Sequence, residues 1–257
     1  MRKRERREPK SGLASIWLQP ERTPRGAQSA LNRAQIVRAA IAIADAEGID
    51  AVTMRGVAAD LGVGTMSLYW HVPNKDDLFE LMRDELMSEV EMPDPPSGDW
   101  RADLRTIAYQ TRATMKRHPW MLAIFASMPG LGPNMLRHVD LSLAAVDGLG
   151  LDLQTMFTVI SVVDDYTLGF TLGEVNQDVA RRDIGLTPEE LRAQWFAAME
   201  PFARQAIATG RYPRLAQVEH DPFDFLDSDR IFEFGLACVL DGIAVRIEAV
   251  RNRSEGP

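Results

Sequence analysis

This chain predicts an all-α fold in two unequal parts, and three observations predict it. Apolar residues recur at three- and four-residue spacing along most of its length. No stretch alternates β-branched with polar residues as a half-buried strand would. Glycine and proline gather between the periodic stretches, most densely in MPDPPSGD at 92–99, which reads as a linker.

Composition narrows the class further. The chain has 257 residues, 46% apolar and 26% charged, which suits a soluble globular protein with a sizeable core. The longest apolar run, MLAIFASM at 121–128, is far short of the roughly 18 residues that a membrane span needs, so no membrane partner is expected. The N-terminus is charged and lacks a secretory apolar segment, so a cytoplasmic protein is expected. A lone Cys238 excludes an internal disulfide and any metal site built from several thiolates, and neither metal nor cofactor is expected. Charge is segregated: residues 1–30 carry eight basic against three acidic groups, a net +5, leaving −13 on the rest of a chain whose total is −8. A basic arm on an acidic body confines polyanion contact to one end, although a merely solvated tail has the same composition.

In chain order, residues 1–30 form a mostly flexible arm in which Ile16, Trp17 and Leu18 make one apolar patch; Trp17 either packs on the body or nucleates a turn. Asn32 is placed to cap a helix from Arg33 to Glu47, whose stripe is Ile36, Val37, Ala40, Ile41 and Ala44 and which Gly48 ends. Thr53 caps the next helix, with Met54, Val57, Ala58 and Leu61 on one face and a stop at Gly62. From Thr65 to His71 a very short helix buries Leu68 and turns Thr65, Ser67, Tyr69, Trp70 and His71 outward. Pro73 and Asn74 end it, and an amphipathic helix follows from about Lys75 to Val90. Two short helices joined by a glycine turn, the second too short and polar to be core, are the pattern of a helix-turn-helix, whose second helix enters the major groove.

Beyond the linker, helical periods return at about Trp100 to His118, Asn134 to Asp147, Leu153 to Val175, Pro188 to Ala208 and Ser228 to Arg251. Thr187, Pro188 and Glu190 mark one start as a capping box. The expected domains are an arm at 1–30, a DNA-binding domain at 31–91, a linker at 92–99, a regulatory and dimerisation domain at 100–251 and a tail at 252–257.

With its turn followed at once by LYWHVPNK, from Leu68 to Lys75, the chain resembles the tetracycline-repressor family of bacterial one-component transcription regulators. YTLGFTLGEVNQ at 166–177 and FGLACVLDGI at 234–243 look like the dimerising helices of the tetracycline-repressor subgroup. Trp17, Leu18, Pro20 and Glu21 suggest relatives with an N-terminal extension. The resemblance implies double-stranded operator DNA as partner, with Thr53, Arg55, Thr65, Met66, Ser67, Tyr69, Trp70, His71 and Lys75 facing bases or backbone. The residue types agree: hydroxyls and a His reach phosphates, Met66 can meet a thymine methyl, and Lys75 can clamp the backbone. Gly56 and Gly64 stand where the family often has polar or charged side chains, so Arg22 and Arg25 of the arm are expected to add phosphate or minor-groove contacts.

For the second part the resemblance implies a small-molecule cavity and a homodimer. Ile107, Thr111, Met115, Trp120, Phe125, Met128, Met135 and Phe157 offer large, adaptable surfaces for a hydrophobic effector, though such stripes also make plain core. The namesake's metal-tetracycline site does not carry over, because Glu91, Ile107 and Phe125 stand where imidazole or amide groups are needed. Asp164 shares the apolar stripe of Ile160 and Leu168, and needs either a ligand group or an arginine such as Arg112 or Arg246. Gly169 and Gly173, with Gly235, Cys238 and Gly242, permit close helix approach, either across a two-fold axis or inside one subunit. No nucleophile-base order, phosphate loop or paired metal ligands argues for an enzyme, and Cys238, in an apolar helix, is expected to be inert. The expected function is a ligand-released repressor that reads a palindrome as a dimer; an activator or an effector-independent repressor is the alternative.

Overall fold

The computed structural model describes residues 16–19, 31–125, 130, 132–214, 216 and 227–254. Arg22, Arg25 and Met128 lie outside these. All the regular structure among the described residues is helical, with no strand.

The first three helices form where their caps and stripes place them. α1 (Arg33–Glu47) opens on a reciprocal capping box in which Asn32 Oδ1 accepts from the Gln35 N–H at 2.8 Å and Gln35 Oε1 accepts from the Asn32 N–H at 3.0 Å. Its predicted stripe is buried, and Gly48 ends it at φ 86°. After a 3₁₀ turn at Ile49–Ala51, α2 (Met54–Asp60) is capped by Thr53 Oγ1, which accepts from the Gly56 N–H at 3.0 Å. Gly62, at φ 66°, makes the turn into α3 (Thr65–His71). α4 (Lys75–Ser88) follows, capped by Asn74.

The remaining helices are α5 (Trp100–Arg117), α6 (Met121–Phe125), α7 (Pro133–Ala145), α8 (Leu153–Ile184), α9 (Pro188–Ala208) and α10 (Ser228–Ser254). Asp99 caps α5, and Thr187 with Glu190 forms the predicted box at α9. Two boundaries differ from expectation. The run at 121–128 contains the extra short helix α6. α8 passes the expected end at Val175 and continues to Ile184, because no chain breaker occurs before Gly185 and Asn176, Gln177, Val179, Ala180 and Ile184 are exposed, leaving no apolar period to reveal the added turns.

Apolar burial falls into two clusters, and the first crosses the linker. Leu68, Leu78, Met82 and Leu86 of α3 and α4 share it with Met115, Trp120, Met121 and Ile124 of α5 and α6. The second joins Leu104, Ile107 and Ala108 of α5, Val159 and Val163 of α8, and Phe232, Leu236, Leu240 and Ile243 of α10. α4 therefore belongs to the helix-turn-helix by sequence and to both halves by packing.

Candidate nucleic-acid interface and regulatory core

α3 is held from below and open above. Leu68 is fully buried, whereas Met66 is 78% exposed and Tyr69 and Trp70 are 42% and 44% exposed. Ser67, Thr53 and Arg55 are also exposed, Thr65 is half-buried, and half-buried Lys75 holds its ammonium 4.8 Å from the Phe79 ring centroid. A seven-residue helix anchored by one leucine and presenting a thioether, two aromatics and a hydroxyl is a surface for a groove, not for a core. His71 corrects the expectation of an outward group. It is buried, its ring is edge-on to Trp70 at 4.9 Å, and its carbonyl accepts from Arg33 Nε at 3.1 Å. At the last position of so short a helix, the side chain turns inward.

Arg33 also reaches the described part of the arm, donating from Nη1 to the Gln19 carbonyl at 3.1 Å and to that of Ile16 at 3.5 Å. Ile16 is buried in the first cluster, and Trp17 donates its indole N–H to Glu80 Oε1 at 3.1 Å. Trp17 thus packs on the body. Sequence periodicity carries no sign of these contacts, since each partner lies more than a dozen positions away.

Two polar clasps tie α1 and α4 to the later helices. Asp45 Oδ1 accepts from the Trp120 indole at 2.6 Å and lies 2.7 Å from His118 Nδ1, while His118 Nε2 lies 3.2 Å from Glu89 Oε2. Asp84, on α4, accepts from the Met135 and Asn134 backbone N–H groups at 3.0 and 3.3 Å and from the Asn134 side chain at 3.1 Å. It caps α7, whose own N-cap is Gly132 and has no side chain to offer. Burial raises the Asp84 carboxyl above its usual range, and these hydrogen bonds only partly oppose that.

Of the expected effector-binding residues, Ile107 and Thr111 are buried on α5, while half-buried Met135 packs against the first cluster and Phe125 sits 6.0 Å from the Arg83 guanidinium. Met115 and Trp120 belong to the first cluster, where Trp120 serves the Asp45 clasp. Phe157 is a correction: it is exposed, on the outer edge of α8.

The pairing expected for Asp164 is also corrected. Arg112 is instead bound through Nε and Nη2 to both oxygens of Glu174, at 2.7 and 2.6 Å, and to Asp229 at 2.7 Å, with its guanidinium 4.5 Å from the Phe232 ring centroid. Its hydrogen bond to Glu174 above all raises the guanidinium pKa, against the cost of burial. Burial would raise the Glu174 carboxyl, but the bonds from Arg112 and Lys116 pull it below its usual value. Asp164 receives no hydrogen bond, and burial, followed by the charge of Asp165, pushes it up to about 7.

The small-residue stripe divides. A Cβ on Gly235 would lie 2.3 Å from Tyr166 Oη, so Gly235 serves the contact between α8 and α10 inside one chain, contrary to the interface role expected for it. Among the described residues, a Cβ on Gly169, Gly173 or Gly242 would meet nothing within 4 Å, and Cys238 is exposed rather than enclosed in an apolar helix. Among the described residues no helix is long and apolar enough to cross a membrane, and no cluster of His, Cys, Asp and Glu could hold a metal ion.

An exposed groove-sized helix, carried on a glycine turn and clasped to a larger helical part, defines a helix-turn-helix transcription regulator. Two family models match: that of the bacterial regulatory proteins of the tetR family over residues 36–82, and that of the tetracyclin repressor-like C-terminal domain over 92–247. The chain belongs to the tetR family, and by that membership it is a DNA-binding transcriptional regulator. It is 38% identical to the transcriptional repressor DrrR1 of Streptomyces coeruleorubidus, over 94% of this chain and 88% of that one. It is 29% identical to the class A tetracycline repressor of transposon 1721 from Escherichia coli, over 86% and 94%. Its structure is similar to that of ActR from Streptomyces coelicolor in complex with actinorhodin, with TM-score 0.71, 27% identity and coverage of 84% and 97%.

Proposed function

We propose that this protein is a ligand-responsive repressor that binds a palindromic operator as a homodimer and is released when a small, largely apolar effector occupies the core of residues 100–251. The observation that carries the reading is α4: it follows the recognition helix α3 after a three-residue break and reaches the regulatory helices through Asp84 on α7. An effector that moves α7 or α6 therefore moves α4, and with it α3. Thr53, Arg55, Thr65, Met66, Ser67, Tyr69, Trp70 and Lys75 make the contacts, and Arg22 and Arg25 add charge from the arm. The DNA-binding domain spans 31–91.

The dimer is supported by what a single chain leaves uncovered. Phe157, Leu172 and Val179 of α8, Phe234 and Val245 of α10, and Trp195 and Phe202 of α9 are all exposed. Large apolar side chains left exposed along helices mark sites of protein–protein contact. A two-fold axis along α8 and α10 covers it and sets two α3 helices roughly 34–36 Å apart, one turn of DNA. ActR, 27% identical, has been seen with actinorhodin bound, which supports an effector site in the same part of this fold.

The test is binding to duplexes from the DNA flanking the protein's own gene, measured by anisotropy over a salt series. Nanomolar binding to one palindromic segment is expected, with at least tenfold loss on Tyr69→Ala at unchanged melting temperature. Equal affinity for all segments, or an undiminished variant, would remove α3 from the interface.

A further inference from the structure

Asp164 lies on a definite side of α8. Ile160, Thr167 and Thr171, at four before and three and seven after, share its stripe, and all three are buried. Tyr166 and Phe170 point to α10, where Tyr166 Oη donates to the Phe232 carbonyl at 2.9 Å and Phe170 lies 5.3 Å from the Phe232 ring. At 3.6 residues per turn Asp164 is about 200° round from Tyr166, so it faces away from α10, toward α5 and α7. Those two helices pack on α8 and on each other.

Each contributes a buried polar group without a partner. The Thr111 hydroxyl of α5 and Nδ1 of His138 on α7 make no hydrogen bond, and both side chains are more than nine-tenths buried. Leaving such groups unpaired costs stability that a bound molecule can recover. The three helices that pack together here thus each carry one polar group that makes no hydrogen bond: a carboxyl, a hydroxyl and an imidazole.

We propose that the α5–α7–α8 junction takes a bulky, mostly apolar amine, its protonated nitrogen paired with the Asp164 carboxylate and its polar edge hydrogen-bonded to Thr111 and His138. This deepens the effector reading given above and rests on it. The surroundings favour a cation. Arg112, next to Thr111 on α5, is already engaged by Glu174 and Asp229, and burial holds His138 down at about 4, so it is neutral and does not repel an ammonium. A half-buried carboxylate with no cation of its own gains more from an ammonium than a fully exposed one would.

The probes are monodansylcadaverine and its N-acetylated form, which share an apolar body and differ in the charged nitrogen. They are titrated by fluorescence against the full-length protein, Asp164→Asn, Asp164→Glu and, as a control for the general acidic field, Asp165→Asn. The amine is expected to bind at least tenfold tighter than its acetylated form. Asp164→Asn should bring the two within about threefold, while Asp164→Glu and Asp165→Asn keep the preference. Equal binding of both probes to the unaltered protein, or equal effects of the Asp164→Asn and Asp165→Asn changes, would overturn the amine assignment and leave the effector reading standing. Binding of neither probe would overturn both.

Discussion

Replacing Asp84 by alanine tests the claim that α4 holds the regulatory helices through a borrowed cap. The carboxylate supplies every side-chain acceptor for the first turn of α7, receiving the Met135 and Asn134 backbone N–H groups and the Asn134 amide. Asp84 is buried, so water cannot replace it without rearrangement. Losing an N-cap costs about 0.5–2 kcal/mol, and stranding a buried donor about 1–3 kcal/mol. Against this stands the relief of burying a carboxylate whose pKa is raised, which returns part of the loss. The net expectation is about 3 kcal/mol, a fall in melting temperature of roughly 6–12 °C for a chain of this size. Asp84→Asn keeps one acceptor oxygen and removes the charge, so it should cost less than about 1 kcal/mol. Both are read by calorimetry at fixed protein concentration. An alanine variant within 2 °C of the parent, or an asparagine variant as damaged as the alanine one, would show that Asp84 is not acting as a cap.

The buried ion pair, the glycine stripe and Asp164 each carry a further outcome. Glu174→Ala should cost about 3–5 kcal/mol by denaturant unfolding, because it strands the buried Arg112 with only the exposed Asp229. Gly235→Ala should lower the melting temperature at every protein concentration through its clash with Tyr166, whereas Gly169→Ala meets nothing in its own chain and should change only the concentration dependence of melting, a result that ultracentrifugation can check. Asp164 has a folded pKa of about 7, above its value in the unfolded chain, so the folded protein binds the extra proton and its stability falls as pH rises from about 4 to 7. Asp164→Asn should therefore stabilise the protein increasingly over that range. The gain should reach about 1–2 kcal/mol near pH 7.5, less than the full shift implies because the carboxylate keeps some solvent contact. A pH-independent difference between the two melting curves would refute it.

Local signals made the helix-turn-helix legible. Asn32, Thr53 and Asn74 each accept the backbone N–H they were placed to accept, or in the case of Asn74 do so at the start that Pro73 had marked. Leu68 is the anchor because its neighbours are too polar for the core. What stayed hidden depends on side chains far apart in the chain. Asp45 with Trp120, Asp84 with Asn134 and Arg112 with Glu174 are separated by 75, 50 and 62 positions, and no period in one sequence links such pairs. His71 misled because a stripe of polar residues does not show where a short helix stops and turns under. Phe157 and Gly235 misled for a related reason: apolar or small residues on a helix say that something lies close, not whether it belongs to the same chain.

Arg33 has a practical corollary. A single guanidinium touches the last carbonyl of the recognition helix and two carbonyls near Trp17, so the tilt of that helix is fastened to a segment some fifteen residues upstream of α1. A shortened chain starting at Leu31 would keep every residue of the helix-turn-helix and still free one of its pins. Affinity tags are therefore better fused at the other end of this protein, and operator measurements made on trimmed versions would report a looser reader than the whole one.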